Sequence, residues 1–370
     1  RTMKFLIRAL LAALALVAPA FADDTPLDPA AGYFQIVHSV VPGVWVLTQP
    51  KFQVQPDGNV TVIEQSDGLV LVDAGGSAGS GRRIVEMVRG LSAKPVKAVI
   101  ISQWHGDKAQ GLTEILKAWP NARTISTAVT QAHLAKPATM NTPGAPDAAA
   151  NDRQQKLIKA FSAQLANVAA KQSTATMRDH YAELSRVMAQ WARDMDGTLT
   201  IPTRETFAEH LAIDDPRAPV RVMFLGRADT DGDAIVWLPK QRILVTGETV
   251  ILPFPYGFQS YPSDWIGVLK KLRVMPFRIL IPGHGLPQTN GVQIDHILAA
   301  LEDIRAQVRP LANLTLEQAQ AGVDATTQRH IFAGDDPWLA HWFDEFWLKP
   351  IIASAYKEAK GQLIVQDLRG

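Results

Sequence analysis

Five short segments of the chain place polar, chemically capable side chains directly after apolar stretches that have the pattern of β-strands. Loops at strand ends are where layered α/β proteins place functional residues. Each segment alone also has an ordinary interpretation, because His284 could be a turn histidine and Asp73, Asp231 or Asp233 could cap turns. The segments are residues 72–75, 101–108, 226–233, 246–248 and 281–285.

The side chains in these segments are histidines, carboxylates and amides, which can bind metal ions or move protons. The chain has no cysteine, so disulfides, thiolate zinc sites and cysteine nucleophiles are excluded. Gly75-Gly76-Ser77-Ala78-Gly79 has the spacing Gly-x-Ser-x-Gly, but we interpret this glycine-rich stretch as the flexible turn after Asp73 rather than as the site of a serine nucleophile. No Gly-Lys-Ser/Thr phosphate loop is present. The sequence therefore favours chemistry at a site built from histidine and oxygen ligands.

Composition limits the class of protein. The chain has 370 residues, 47% of them hydrophobic, and 37 Lys+Arg against 36 Asp+Glu, which gives a formal charge of +1. This length allows two domains or one elaborated domain with a sizeable core. Because the charge is near zero and no basic run occurs, a nucleic-acid partner is not expected. We expect a small-molecule substrate or ligand instead.

Residues 3–22 have the pattern of a secretory signal. Lys4 and Arg8 form a charged start, an apolar run follows, and Ala20-Phe21-Ala22 is an A-x-A cleavage site. The run is shorter than the roughly 20 residues of a membrane span. We therefore expect cleavage after Ala22, a periplasmic or secreted product and no membrane association after cleavage. Arg1 and Thr2 are interpreted as residues ahead of the natural start.

The rest of the chain contains segments with the sequence pattern of β-strands and segments with the pattern of amphipathic helices. Residues 44–47, 60–64 and 69–72 predict an antiparallel meander, and strands then alternate with helices up to residue 126. Between residues 127 and 202 the β pattern stops, and two amphipathic helices predict an inserted helical hairpin. The β pattern resumes near residues 206–211. From residue 293 onward the chain is predicted to be helical.

In this order, the five polar segments resemble the metallo-β-lactamase superfamily. The resemblance covers about residues 36–287 outside the insert and includes segments 232–239, 253–257 and 261–262, which are similar to those of exported hydrolase-like members. It implies an α/β fold, the αββα sandwich, with the site along one sheet edge. The implied organisation is a domain over 33–292 with its insert at about 127–202, and a helical C-terminal extension over 293–370 packed on that domain.

The resemblance also implies which residues stand at the metal-ligand positions. The histidine-rich loop of the family falls on Gln103, His105, Asp107 and Lys108. The remaining positions are not all conserved in type: a family histidine falls on Asp229, the bridging aspartate falls on Glu248, and the last histidine falls on His284. The candidate metal ligands are therefore Gln103, His105, Asp107, Asp229, Glu248 and His284.

The substituted ligands change what the pocket can hold. The first family site would have Gln103, His105 and Asp229 with Glu248 bridging, a set of one imidazole and three oxygen donors that favours manganese, iron(II) or weakly bound zinc. The second site would have Asp107, Glu248 and His284. The ammonium of Lys108 cannot bind a metal and would occupy that second site. One divalent metal, none, or the full dinuclear site all stay open.

The net charge of the pocket supports an argument for a bound metal and an argument against one. If Asp107, Asp229 and Glu248 converge against Lys108 alone, about two negative charges remain, which demands a cation or raised carboxyl pKa values. Arg227, next to Asp229, could supply a positive charge, and Asp73 would support the site from the neighbouring strand end. A metal-free pocket held by Lys108 and Arg227 is therefore also consistent.

Two functions follow from these alternatives. The first is an exported hydrolase in which a metal-activated water attacks an ester, amide or similar bond, with Asp107 and Lys108 as catalytic residues beside a weakened or single-metal site. The second is a metal-free pseudoenzyme or ligand-binding periplasmic protein in which Lys108 replaces the second metal. The aromatic run from Trp338 to Trp347 would be core or the face of a homodimer.

Overall fold

The computed structural model describes residues 36–49, 57–136 and 148–366. The predicted signal, residues 3–22, lies outside the described residues. No helix in the described part of the chain is long and apolar enough to cross a membrane.

The first sheet has seven strands that follow one another in sequence order. The first four strands are antiparallel neighbours, as the meander pattern predicts, and the fourth to seventh are parallel. The strands are β1 (Ile36–Val41), β2 (Val44–Thr48), β3 (Val60–Glu64), β4 (Leu69–Val72), β5 (Val96–Ile100), β6 (Arg123–Thr127) and β7 (Glu205–Phe207).

The second sheet has five strands in the order β12-β11-β10-β9-β8. All its neighbours are antiparallel except β11 and β12. The strands are β8 (His210–Ile213), β9 (Val220–Phe224), β10 (Ala234–Leu238), β11 (Ile243–Val245) and β12 (Ile279–Ile281). The single strand expected near residues 206–211 is therefore two strands, since β7 pairs with β6 and β8 pairs with β9 in the other sheet.

Strand residues alternate between two cores. On β4, Val70 and Val72 belong to a core shared with the second sheet, whereas Leu69 and Leu71 pack with helical residues on the outer face. This follows from the two-residue period of a strand that is buried on both faces. Helices cover both outer faces, so the αββα arrangement is confirmed.

The helices in the first half of the chain cover the first sheet or form the hairpin. In the hairpin, α5 packs against α6, whose Asp194 pairs with Arg83 of α1 at 2.7 Å. Leu157 and Phe161 stay exposed on α5, although their spacing predicts a shared apolar face. The helices are α1 (Ala78–Leu91), α2 (Gly106–Ala109), α3 (Leu112–Ala118), α4 (Ala128–Leu134), α5 (Ala148–Ala170) and α6 (Ala175–Asp194).

The helices in the second half pack on the second sheet and on one another. Asp336 caps α11 by accepting from the backbone of Trp338, as its position before a proline predicts. Trp338, Trp342 and Trp347 are buried within the chain. These aromatic side chains are thus already covered without a partner, and the homodimer stays a prediction. The helices are α7 (Pro262–Arg273), α8 (Val292–Val308), α9 (Leu316–Gly322), α10 (Thr326–Ala333), α11 (Pro337–Phe343) and α12 (Lys349–Ala359), with a π-helical turn at Asp344–Leu348.

Candidate functional site

The polar segments meet where strands of the two sheets end. The turn that precedes β10 joins the end of β5, because Ala234 N donates to Ser102 O at 2.7 Å. The loop after β12 joins the segment before β3, because Asn59 N donates to Gly283 O at 2.7 Å. These hydrogen bonds bring together loops that are far apart in sequence, and the loops carry the candidate residues.

The ammonium group of Lys108 lies at the centre of this junction and is fully buried. Its Nζ is 2.6 Å from Glu248 Oε1 and 3.1 Å from Asp107 Oδ2, and it donates to Gly283 O at 2.9 Å. An ammonium has three N–H groups, and three oxygens surround this one. Lys108 is therefore enclosed by partners and has no donor directed to solvent.

His284 completes a four-residue charge cluster with Lys108, Asp107 and Glu248. Its Nε2 lies 3.2 Å from Asp107 Oδ2 and 3.1 Å from Glu248 Oε1. Ligand atoms of Asp107, Glu248 and His284 all lie within 4.8 Å of one another, the spacing of a metal site. Among the described residues, this is the one such group of three histidines or acids, and Lys108 lies against both of its carboxylates.

The charges in this cluster compensate one another. Burial alone would lower the pKa of Lys108, but Asp107 and Glu248 raise it above its ordinary value. Burial likewise opposes ionisation of Asp107 and Glu248, yet Lys108 and His284 hold the pKa of both carboxyls below their usual range. Burial would lower the pKa of His284, but Glu248 raises it. Two carboxylates thus face two groups that carry or accept a proton.

His105 and Asp229 form a second, separate contact. His105 Nδ1 is 3.4 Å from Asp229 Oδ2, and Asp229 is fully buried. Neither carboxyl oxygen of Asp229 has a hydrogen bond within the described residues. Burial, with Asp233 and Glu248 nearby, raises the pKa of Asp229 well above its usual value, and burial lowers the pKa of His105. Burial thus disfavours the charged form of both groups.

The side-chain amide of Gln103 hydrogen-bonds to the backbone of its own loop. Its Oε1 accepts from His105 N at 2.6 Å, and its buried Nε2 has no hydrogen-bond partner in the part of the chain described here. The amide oxygen expected to bind a metal therefore fixes the backbone next to His105 instead.

Arg227 pairs with Asp264 rather than neutralising the carboxylate of Asp229, as the sequence had suggested it could. Arg227 pairs with Asp264 at 2.6 Å and stacks on Tyr261 at 4.2 Å, and its side chain is half exposed. It does not neutralise Asp229, because its guanidinium is engaged on the surface. Two other features reduce the negative charge of about two that the sequence predicts for the pocket. His284 joins the cluster at 3.1–3.2 Å from Glu248 and Asp107, and burial raises the pKa of Asp229.

Asp73 supports the loop after β5 rather than the charge cluster itself. It has a positive φ of 70° and accepts from Ser102 N at 2.8 Å and from Ser102 Oγ at 2.9 Å. Burial raises the pKa of Asp73 to about 7, although the nearby charge of Lys108 opposes the rise. Asp73 thus positions the start of the segment that carries Gln103, His105 and Lys108.

The segment 57–59 contributes to the site in a way that sequence reasoning missed. A Cβ on Gly58 would lie 1.8 Å from Lys108 Nζ, so only glycine fits against the ammonium. Asn59 Nδ2 donates to Pro282 O at 2.9 Å and to Gly285 O at 2.7 Å, and Asp57 accepts from Ser80 Oγ at 2.8 Å. In the sequence, Pro56-Asp57-Gly58 indicates only a turn. Tyr256, also unpredicted, packs its ring 5.3 Å from that of His284.

The residues present do not fit the dinuclear metal centre that the family implies. A dication bound by Asp107, Glu248 and His284 would share its place with an ammonium that is 2.6–3.1 Å from two of those ligands, and like charges at that spacing repel strongly in a buried site. The other half offers only His105 and Asp229, because Gln103 is turned to the backbone. The chemistry of these residues therefore fits a charge cluster neutralised by Lys108 better than it fits two metal ions.

A prediction concerns Asp233, which is buried and whose pKa burial raises to about 8. Between about pH 4 and pH 8 the folded carboxyl keeps a proton that the unfolded chain releases, so its contribution to stability falls as pH rises. In the wild-type protein, Asp233 Oδ2 accepts from Thr230 N at 2.7 Å. The side-chain oxygen of Asp233→Asn can still accept this hydrogen bond, but the amide does not titrate. We expect the stability of Asp233→Asn relative to wild type to increase from about pH 5 to about pH 8, measured by denaturant unfolding. The exposed Asp335→Asn is the control, and a constant difference for Asp233→Asn would contradict the assignment.

Comparison with known proteins gives one sequence relative and several solved structures. A linear primary-alkylsulfatase of a Pseudomonas species is 24% identical over 266 residues, which is 67% of this chain and 45% of the relative. The chain thus spans less than half the length of that relative.

Two solved structures illustrate the likeness in fold. A stereoselective inverting sec-alkylsulfatase from a Pseudomonas species has 16% identity and a TM-score of 0.53, with coverage of 89% of this chain and 51% of that one. A metallo-beta-lactamase from Pontibacter korlensis has 17% identity and a TM-score of 0.47, with coverage of 72% and 99%.

The family model of the metallo-beta-lactamase superfamily matches residues 55–284, well over half of the chain. The match ends at His284, so it includes every candidate ligand position described above. The chain belongs to the metallo-beta-lactamase superfamily.

Proposed function

We propose that this protein is a metal-independent member of its superfamily, in which Lys108 replaces the second metal ion and the pocket binds a small molecule without metal-dependent hydrolysis. The single observation that carries this proposal is the position of the Lys108 ammonium. It is fully buried, and three oxygens lie 2.6–3.1 Å from its Nζ.

Energetics favours the tethered ammonium over a bound ion. A metal could enter only if Lys108 left all three oxygens and moved its charge elsewhere. A buried cation without partners is strongly unfavourable. Gly58 lies directly against the ammonium, because even a methyl group there would collide with Lys108 Nζ. Lys108 therefore excludes a metal from the site as well as replacing its charge.

A second candidate function is a hydrolase with a single divalent metal, zinc, manganese or iron, held by His105 and Asp229. One specific observation favours it, namely that both buried carboxyl oxygens of Asp229 lack hydrogen bonds within the described residues, beside His105 Nδ1. The substrate would carry an ester, amide or similar bond. The alkylsulfatases among the similar proteins make a sulfate ester one such substrate.

We also propose that the protein is exported. The support is the sequence pattern of residues 3–22, with Lys4 and Arg8 ahead of an apolar run and the A-x-A site at Ala20 to Ala22.

The primary proposal predicts how stability responds to two changes. Lys108→Met removes the ammonium that lies between Asp107 and Glu248 and leaves these two carboxylates facing each other and His284, so it should lower the free energy of unfolding by about 3–5 kcal/mol. Lys270→Met is the matched control, because Lys270 makes an exposed pair with Glu302, and it should cost less than about 1 kcal/mol. A chelator should not change the melting temperature of the wild-type protein.

Thermal and denaturant unfolding with and without chelator distinguish the two candidates. Destabilisation of the wild type by chelator would contradict the primary proposal and favour the single-metal hydrolase. Equal costs for Lys108→Met and Lys270→Met would show that the ammonium does not balance Asp107 and Glu248.

The export proposal predicts the mass of the protein recovered from cells. After expression of the full sequence, intact-mass determination should give a chain that begins at Asp23. Recovery of a chain that retains residues 3–22 would contradict export with cleavage.

A further inference from the structure

The described residues that follow α12, up to Gln366, lie against the loops of the candidate site. Leu363 and Val365 in this segment are 86% and 60% exposed, whereas Gln366 is only 7% exposed. Tyr261 Oη donates to Ile364 O at 3.4 Å. Gln366 is thus the side chain through which this segment is inserted into the protein.

The amide of Gln366 makes four hydrogen bonds to three separate loops. Its Nε2 donates to Asp229 O at 3.0 Å and to Gln259 O at 3.3 Å. Its Oε1 accepts from Asp231 N at 3.1 Å and from Trp104 Nε1 at 3.3 Å. A side-chain amide has two donors and two acceptor lone pairs, so the hydrogen-bonding capacity of this one is used in full.

Trp104 connects this amide to His105. The Trp104 ring meets the His105 ring edge-on at 4.5 Å and stacks on His133 at 4.5 Å. The Trp104 indole also donates to Asp231 Oδ1 at 3.3 Å, and Asp231 Oδ2 lies 3.1 Å from His133 Nε2. Gln366 therefore fixes an aromatic side chain that packs directly on a site histidine.

Gln366 acts on Asp229 in the same way, through the backbone. The carbonyl that it binds belongs to Asp229, and the side chain of Asp229 faces His105 Nδ1 at 3.4 Å. The relative position of His105 and Asp229 thus depends on two loops that one amide joins. We propose that Gln366 is a positioning residue, and that the segment 361–366 is a strap that holds the His105 and Asp229 loops together. This role applies whether or not the pocket holds a metal.

The test compares Gln366→Ala with Leu363→Ala in the full chain. Leu363 lies in the same segment and is almost fully exposed, so its variant is a matched control. In Gln366→Ala we expect amide hydrogen exchange to rise about tenfold in residues 101–108 and 226–233 and to stay unchanged in α8. Because the Trp104 ring that Gln366 fixes packs edge-on against His105, modification of the His105 ring by diethyl pyrocarbonate should also become several-fold faster, while modification of His296 on α8 should not.

A conservative variant separates positioning from bulk packing. Gln366→Met keeps a side chain of similar size but loses both donors and both acceptors, so its exchange and modification rates should approach those of Gln366→Ala if the hydrogen bonds hold the loops. Equal rates in Gln366→Ala and Leu363→Ala would overturn the proposal. A rise of exchange throughout the chain, α8 included, would also overturn it, because it would show a general loss of stability rather than release of two loops.

Discussion

The ion pairing of the buried Lys108 ammonium with Asp107 and Glu248 is the interaction on which the rest of the site depends. Removing this cation would leave the carboxylates of Asp107 and Glu248 side by side at a largely buried position. Breaking a buried ion pair costs about 3–5 kcal/mol, a large part of the stability of a typical domain. His284 shares the same two oxygens at 3.1–3.2 Å. The positions of all four side chains are therefore coupled, and none can move without leaving a buried charge unpaired.

The fold provides this coupling by bringing loops from both sheets to one edge. Lys108 and Asp107 follow β5, whereas Glu248 and His284 follow β11 and β12. The segment 57–59 closes the arrangement, since Asn59 bonds the loop that carries His284 and Gly58 lies against the ammonium. The superfamily's sandwich thus keeps its site position while a tethered amine occupies the place where a metal would bind.

Much of the fold could be predicted from the sequence because its signals are local. The two-residue alternation of Leu69 to Val72 and the cap at Asp336 follow from backbone geometry, and the order of the polar segments places Lys108 among Asp107, Glu248 and His284. Other features depend on tertiary contacts that no local pattern carries. The split of residues 205–213 between two sheets depends on the available partner strands, and the outward turn of Arg227 depends on Asp264. The raised pKa of Asp229 depends on burial, and no sequence signal marks Gln366.

Metal content measured by elemental analysis tests the central claim most directly. The comparison is between wild-type protein and the triple variant Gln103→His, Lys108→His and Asp229→His, both dialysed after exposure to zinc. If Lys108 replaces the metal, the wild type should hold far less than one zinc ion per chain, and the variant should hold close to two because it has the family's imidazoles and no ammonium. One or more tightly held ions in the wild type, or equal content in the two proteins, would contradict the account.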